Sequence, residues 1–214
     1  WALGLRLPAT TDEAISAAID AGKIIRTHIL RPTWHLVAAE DIRWMLDLSG
    51  PRVSAQIQGM HQRVGLPLDI FKQSHAVIEK ALLKSQSLTR NELVSALEAS
   101  GIKAGLMQAT HLMMQAELDG LICNGPMKGK QFTYALLDER APKARRLQRE
   151  EALATLLRRY LQSHGPATLQ DFTWWSGLTL TDAKAGLDVI KSGFVSETID
   201  NQSYWMPSNI SAST

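Results

Sequence analysis

The sequence has one cysteine in 214 residues, no long apolar run and a formal net charge of only +2. The single thiol, Cys123, cannot form an internal disulfide, so a reducing, cytoplasmic setting is expected. It lies in the apolar run 121–123 and is predicted to be a small core residue, not a nucleophile. No apolar run approaches the roughly 20 residues that a membrane-spanning helix needs, and no signal peptide is recognisable, so no membrane association is predicted.

Several motifs of catalytic and metal sites are also missing. There is no Gly-rich phosphate loop and no Gly-x-Ser-x-Gly elbow, although a Ser-His-Asp triad stays open. His28 and His35 are expected to face each other across a hairpin, with Asp41 near in sequence. A metal ion needs more converging ligands than these. The sequence therefore predicts no metal site and no cofactor.

The stretch 26–37, RTHILRPTWHLV, is the most unusual part of the chain. Apolar and β-branched runs flank Arg31-Pro32, which predicts two short strands around a tight turn at that dipeptide. Its arginines can hold phosphates, its histidines can exchange protons near neutral pH, and its tryptophan can stack. Two interpretations remain open on the residues alone. The hairpin is a functional surface, or it is buried on its own domain with its histidines satisfied internally.

Other basic residues are candidates for phosphate contacts. Five cations and no acid fall within 140–149, which favours either a phosphate-binding segment or a solvated linker. A predicted hairpin tip at 124–130 is rich in glycine and carries two lysines, Lys128 and Lys130. Such a tip suits DNA contact, but it is equally an ordinary soluble turn.

A pattern of three helices followed by a hairpin occurs twice. Capping-box pairs open helices at Thr89 and Thr168 in corresponding positions of the two copies, and the same ending, helix then hairpin, recurs at 12–37. This order is typical of the winged helix-turn-helix, which predicts a mainly α protein with short β-hairpins (α+β). The predicted domains are a partial first winged helix at 1–50, a helical connector and second winged helix at 51–140, and a third at 141–214.

Further local predictions concern helix ends and polar faces. A capping box at Thr10 is expected to open the first helix, and Gly50-Pro51 is expected to stop the helix that starts near Asp41. Two other features have open alternatives. The polar face of the helix at 104–118 either reads adenine edges or packs between domains, and Trp174-Trp175 either stacks a base or lies in the core.

The hairpin stretch carries a family resemblance. GKIIRTHILRPTWHLV at 22–37, with AEDIRWML at 39–46, resembles the winged-helix DNA-binding family that contains the AlkZ-type DNA glycosylases. WALGLR at 1–6, and GPAT with DFTWWSGL within 165–178, are similar to two further blocks of that family. The resemblance implies three tandem winged helices with a concave surface for double-stranded DNA. For characterised members it also implies monofunctional excision of alkylated bases, including crosslinked ones.

The resemblance also implies roles for individual residues. Characterised members position the attacking water with a Gln-aliphatic-Gln motif, which is expected upstream of Trp1. Gln56-Ile57-Gln58 has that composition in another context and is predicted to be a decoy. His35 and His28 become candidates for a supporting shell of the catalytic site. The predicted DNA-binding residues are Arg26, Arg31, Thr33, Trp34, Lys128, Lys130, Arg145 and Arg146.

Three functional hypotheses follow. The first is a nucleoid-associated DNA-repair glycosylase that acts on alkylated DNA. The second is a DNA-binding protein or regulator without catalysis, and the third is a protein-interaction scaffold of winged helices. Residues immediately upstream of Trp1 discriminate between the first two, because a Gln-aliphatic-Gln motif there supports catalysis.

Overall fold

The computed structural model describes residues 3–4, 6–7 and 9–208, so Trp1, Ala2 and Leu5 of the first family block lie outside the described residues. The chain divides into two compact units, residues 1–145 and residues 146–214. Both combine helices with small antiparallel sheets.

The first unit begins with a helix, a hairpin and a long helix, and continues with four helices and a three-stranded sheet. Its elements are α1 (Asp12–Asp20), β1 (Ile24–Ile29), β2 (Arg31–Ala38), α2 (Ile42–Arg63), α3 (Leu68–Ser85), β3 (Leu88–Thr89), α4 (Arg90–Ala99), α5 (Leu106–Leu118), β4 (Ile122–Asn124), β5 (Thr133–Leu136) and α6 (Leu137–Arg140). One of its cores gathers apolar side chains from α3, α4, α5, β4 and β5.

The second unit repeats part of this order. It contains α7 (Arg149–His164), α8 (Leu169–Ser176), α9 (Leu180–Ile190), β6 (Phe194–Ile199) and β7 (Gln202–Pro207). A close approach of α9 to α7 depends on Gly186, where a Cβ would lie 3.0 Å from the Leu153 carbonyl oxygen. On α8, Trp175 packs near Tyr160 and Phe172, whereas Trp174 is exposed.

Threonine N-caps mark the starts of several helices. Thr89, Thr168 and Thr179 each accept from a backbone N–H three residues on, and an acid at that position accepts from the backbone N–H of the threonine. The predictions for Thr89 and Thr168 are confirmed, and Thr179 caps α9 in the same way. The capping box at Thr10 is wrong by one residue, because Thr11 is the N-cap and accepts from the N–H of Ala14.

A short third strand joins the sheet of the first unit. The sheet order is β3-β5-β4, and Thr89 of β3 pairs with Thr133 of β5. At the corresponding place in the second unit, Ala167 forms an isolated bridge with Trp205 of β7. The short segment before the second helix therefore pairs with the hairpin in both units, which the sequence did not predict.

The turn of the first hairpin lies one residue earlier than expected. Leu30 makes the link at φ 60°, Ile29 pairs with Arg31, and Arg31-Pro32 belongs to β2. The prediction of a turn at Arg31-Pro32 is therefore wrong. Leu30 occupies the turn position, although leucine is not a typical turn residue. Burial of its side chain and the hydrogen bond from its N–H to the Ser49 hydroxyl stabilise this conformation.

The helix α2 runs through Gly50-Pro51, so the predicted stop there is wrong. Gly50 faces α5, and a Cβ at this position would lie 2.9 Å from the Leu118 carbonyl oxygen. Beyond it, Val53 and Ile57 bury the next turns of α2 against α5. This packing outweighs the hydrogen bond lost at Pro51, which sits on the exposed side.

The polar face of α5 packs against the α2 segment within the first unit. Gln108 donates to the Val64 carbonyl, Gln115 donates to the Ser54 hydroxyl, and His111 is buried beside His61. Reading of adenine edges by this face does not fit these contacts. The polar residues instead align two helices.

Candidate nucleic-acid interface

The two faces of the first hairpin have different surroundings. Cross-strand pairs are His28 with Trp34 and Thr27 with His35. Because successive side chains alternate between faces, His28 and His35 lie on opposite faces. The expectation that the two histidines face each other is therefore wrong.

His28 is held by a carboxylate that the sequence analysis missed. Its Nδ1 donates to Oε2 of Glu117 on α5, and Glu117 is only 1% exposed. A carboxylate can only accept, so the contact places a proton on Nδ1 and fixes the orientation of the ring. The one sequence signal was an acid in the otherwise apolar end of α5.

Arg26 lies among aromatic rings on the same face as His28. Its guanidinium carbon is 3.7 Å from the centroid of the Trp34 ring and 4.3 Å from that of Phe132. The rings of His28 and Trp34 are 4.9 Å apart. Burial lowers the pKa of Arg26, while the Glu117 carboxylate opposes that shift. We call Arg26, Trp34 and Phe132 the arginine–aromatic cluster.

A main-chain bond joins the hairpin to the sheet that carries the basic tip. The N–H of Arg26 donates to Oδ1 of Asn124 on β4 over 2.7 Å. Asn124 is buried and precedes the loop that leads to Phe132. The first hairpin and the β4–β5 loop therefore form one continuous surface.

His35 occupies the other face as a neutral base. Its Nδ1 donates to the Thr33 carbonyl over 2.9 Å, which leaves Nε2 as an acceptor in the neutral ring. Burial lowers the pKa of His35 most, the hydrogen bond to the Thr33 carbonyl opposes this shift, and the charges of Arg31 and His28 add to it. His35 is therefore neutral at pH 7 and can accept a hydrogen bond.

The predicted basic residues differ in how far they are already paired. Lys128 is 2.8 Å from Glu92 and its hydrogen bond lowers the pKa of that carboxyl to about 2. Arg145 is 2.7 Å from the buried Asp41. Lys130 is exposed at the β4–β5 tip, and Arg31 is half-buried in β2. Arg146 belongs to the second unit.

Other features that could carry a function are a reactive Cys123, a cluster of metal ligands and a membrane-spanning helix. Burial raises the pKa of Cys123 to about 12, so its thiol stays protonated and the prediction of a core residue is confirmed. Within the described ranges, no group of three or more His, Cys, Asp or Glu is arranged to hold a metal ion. No helix in the part of the chain that the structure describes is both long and apolar enough to cross a membrane.

The sequence of the chain matches a known protein family. The sequence model of the family described as DNA glycosylase AlkZ-like matches residues 1–209. The chain belongs to the AlkZ-like DNA glycosylase family. The resemblance found at the hairpin is thereby confirmed over nearly the whole sequence.

One curated relative and one solved structure extend this result. The interstrand DNA cross-link repair glycosylase of Streptomyces sahachiroi is 24% identical over 187 residues, which are 84% of this chain and 50% of the relative. The structure of Streptomyces sahachiroi DNA glycosylase AlkZ matches with a TM-score of 0.74 at 18% identity, over 96% of this chain and 58% of that one. The chain thus has the AlkZ fold and spans about half the length of the relative.

Proposed function

We propose that the protein is a DNA-repair glycosylase that excises alkylated, including crosslinked, bases from double-stranded DNA in the cytoplasm, at the nucleoid. The single observation that carries this proposal is the hairpin 24–38. It presents Arg26 and Trp34 on one face and a neutral His35 on the other, in a chain of the AlkZ-like family. The relative's name, an interstrand DNA cross-link repair glycosylase, supports the substrate class.

The architecture that we propose is three tandem winged helices. Two observations support it. Residues 68–136 and 149–207 both follow the order helix, short paired segment, two helices and hairpin. The helix α1 with its hairpin matches the end of the same order and supplies the third copy, with domains at 1–50, 51–140 and 141–214.

The chemistry requires little beyond positioning. An N7-alkylated purine carries positive charge and is already a good leaving group, so cleavage needs a positioned water and groups that stabilise an oxocarbenium-like sugar. His35 offers Nε2 as an acceptor for that water. Glu117 and His28 form a buried acid–base pair beneath the DNA-facing side of the hairpin. Neither a metal nor an organic cofactor is required for this reaction.

We assign phosphate contacts to exposed and half-exposed basic and hydroxyl side chains around the hairpin. Thr33, Arg31 and Lys130 lie on the loops and strands of this surface, and Arg146 is a separate candidate in the second unit. Lys128 and Arg145 must share their charge with Glu92 and Asp41. We therefore expect them to contribute less to DNA affinity than Lys130 does.

A second candidate function is DNA binding without catalysis. It is favoured by the internal pairing of His28, Lys128 and Arg145, because each side chain already has a structural partner. A regulator or structure-specific binder with the same fold needs only the phosphate and stacking contacts.

A measurement of base release from DNA distinguishes these two candidate functions. The full-length protein is incubated with duplex DNA that contains N7-alkylated purines, and free base is measured alongside binding at several salt concentrations. The glycosylase proposal predicts release of the alkylated base. Tight, salt-sensitive binding without release would leave the non-catalytic function. Absence of binding even at low salt would contradict both and favour an interaction scaffold.

A further inference from the structure

Arg26 differs from four arginines of the first unit whose guanidinium groups already have partners. Arg43 pairs with Asp138, Arg90 and Arg140 donate to backbone carbonyls, and Arg145 pairs with Asp41. Within the described residues, the guanidinium of Arg26 forms neither a hydrogen bond nor a salt bridge, although it is partly desolvated. Its fork of N–H donors is therefore uncommitted while its position is fixed by two rings.

The two rings beside Arg26 remain open to solvent. Trp34 is 46% exposed and Phe132 is 39% exposed, although both are large aromatic side chains. The parts of these rings that Arg26 does not cover can stack on any nucleobase, because base–aromatic stacking needs no hydrogen-bond code. An arginine between such rings adds a phosphate-binding group at the same place.

A groove continues the surface past Phe132. It has a volume of 260 Å³ and is lined by Thr89, Arg90, Asn91, Gln131 and Phe132. Side-chain amides such as those of Asn91 and Gln131 can hydrogen-bond the edge of a base that has left its partner. Aromatic rings that can stack on a base thus lie next to side-chain amides that can hydrogen-bond its edge.

We propose that the arginine–aromatic cluster binds an unpaired nucleotide. The base stacks on the exposed rings of Trp34 and Phe132, and its phosphate takes the donors of Arg26. A paired duplex keeps its bases stacked on one another and cannot offer a free base face. The protein should therefore prefer DNA with a base outside the helix. This inference rests on the proposed function only in that DNA is the ligand.

The test compares two DNAs that differ in one nucleotide. The full-length protein binds a fully paired duplex, or the same duplex with a single bulged 2-aminopurine, at one salt concentration. We expect tighter binding of the bulged duplex and quenching of 2-aminopurine fluorescence on binding. Trp34→Ala and Phe132→Ala should each weaken binding of the bulged duplex about tenfold, with little change for the paired duplex.

Two variants make the result specific. Trp34→Phe keeps a ring and should retain the preference and the quenching. Leu83→Ala removes an apolar side chain that is 62% exposed on α3 and should change neither. Equal binding of both DNAs by the wild type, or equal losses on both DNAs in Trp34→Ala, would overturn this inference and leave the proposed function standing. Absence of binding to either DNA would overturn the proposed function as well.

Discussion

At the scale of single residues, buried polar groups set the properties of the first unit. Glu117 is an acid inside an apolar helix end, and its partner His28 comes from a hairpin far away in sequence. Removing either partner leaves the other polar group buried without compensation, which is costly. The pair therefore ties the candidate interface to the core.

A second buried group is sensitive to pH. His61 on α2 is 3% exposed, lies against Phe71 with ring centroids 4.6 Å apart, and meets His111 edge-on. Burial lowers the pKa of His61 to about 4, and the charge of His111 adds to the shift. In the unfolded chain the same histidine takes up a proton near pH 6.5.

The free energy of unfolding should therefore fall as the pH is lowered from 6.5 to 4. In that window the unfolded state binds a proton that the folded state does not, so protons favour unfolding. The loss attributable to His61 is up to about 3 kcal/mol. We expect His61→Gln to show a shallower pH dependence in urea unfolding followed by circular dichroism. An unchanged slope in that variant would show that His61 is not responsible.

At the scale of elements, α2 depends on one close helix contact. Gly50 admits the backbone of α5, whereas Gly59 of the same helix has no atom within 4 Å of a Cβ placed there. The two positions are a matched pair for testing whether contact with α5 keeps α2 continuous through Pro51.

Gly50→Ala should lower the free energy of unfolding by about 1–3 kcal/mol, because the new methyl group pushes α2 away from α5. Gly59→Ala should raise it by about 0.5–1 kcal/mol, since alanine loses less conformational entropy in a helix. Both are measured by urea denaturation. Similar effects of the two substitutions would contradict the close packing at Gly50.

Elements with local signals could be predicted from the sequence, and those held by distant contacts could not. The capping threonine Thr89 and its partner are three residues apart, so their geometry follows from local sequence. The turn at Leu30 and the continuation through Pro51 depend on burial against other elements, which outweighs local propensity. The Glu117–His28 contact joins α5 to β1 across many residues, so the sequence located the hairpin but not its anchor.

At the scale of the whole molecule, the chain belongs to the AlkZ-like family and has the fold of AlkZ. The chain matches the AlkZ-like family over residues 1–209 but spans 50% of its curated relative. We propose that the hairpin 24–38 lies at the reacting nucleotide and does more than contribute to binding. A change on the hairpin must therefore affect catalysis and affinity differently.

The most direct test is the effect of His35→Ala on single-turnover base release and on DNA affinity in the full-length protein. If Nε2 of His35 helps to position the water, the release rate of an N7-alkylated purine should fall about 100-fold. The dissociation constant should change by no more than about threefold, since neutral His35 carries no phosphate contact. His164→Ala, in the second unit, should leave both unchanged. Equal losses of release and affinity in His35→Ala would contradict a role of His35 in catalysis.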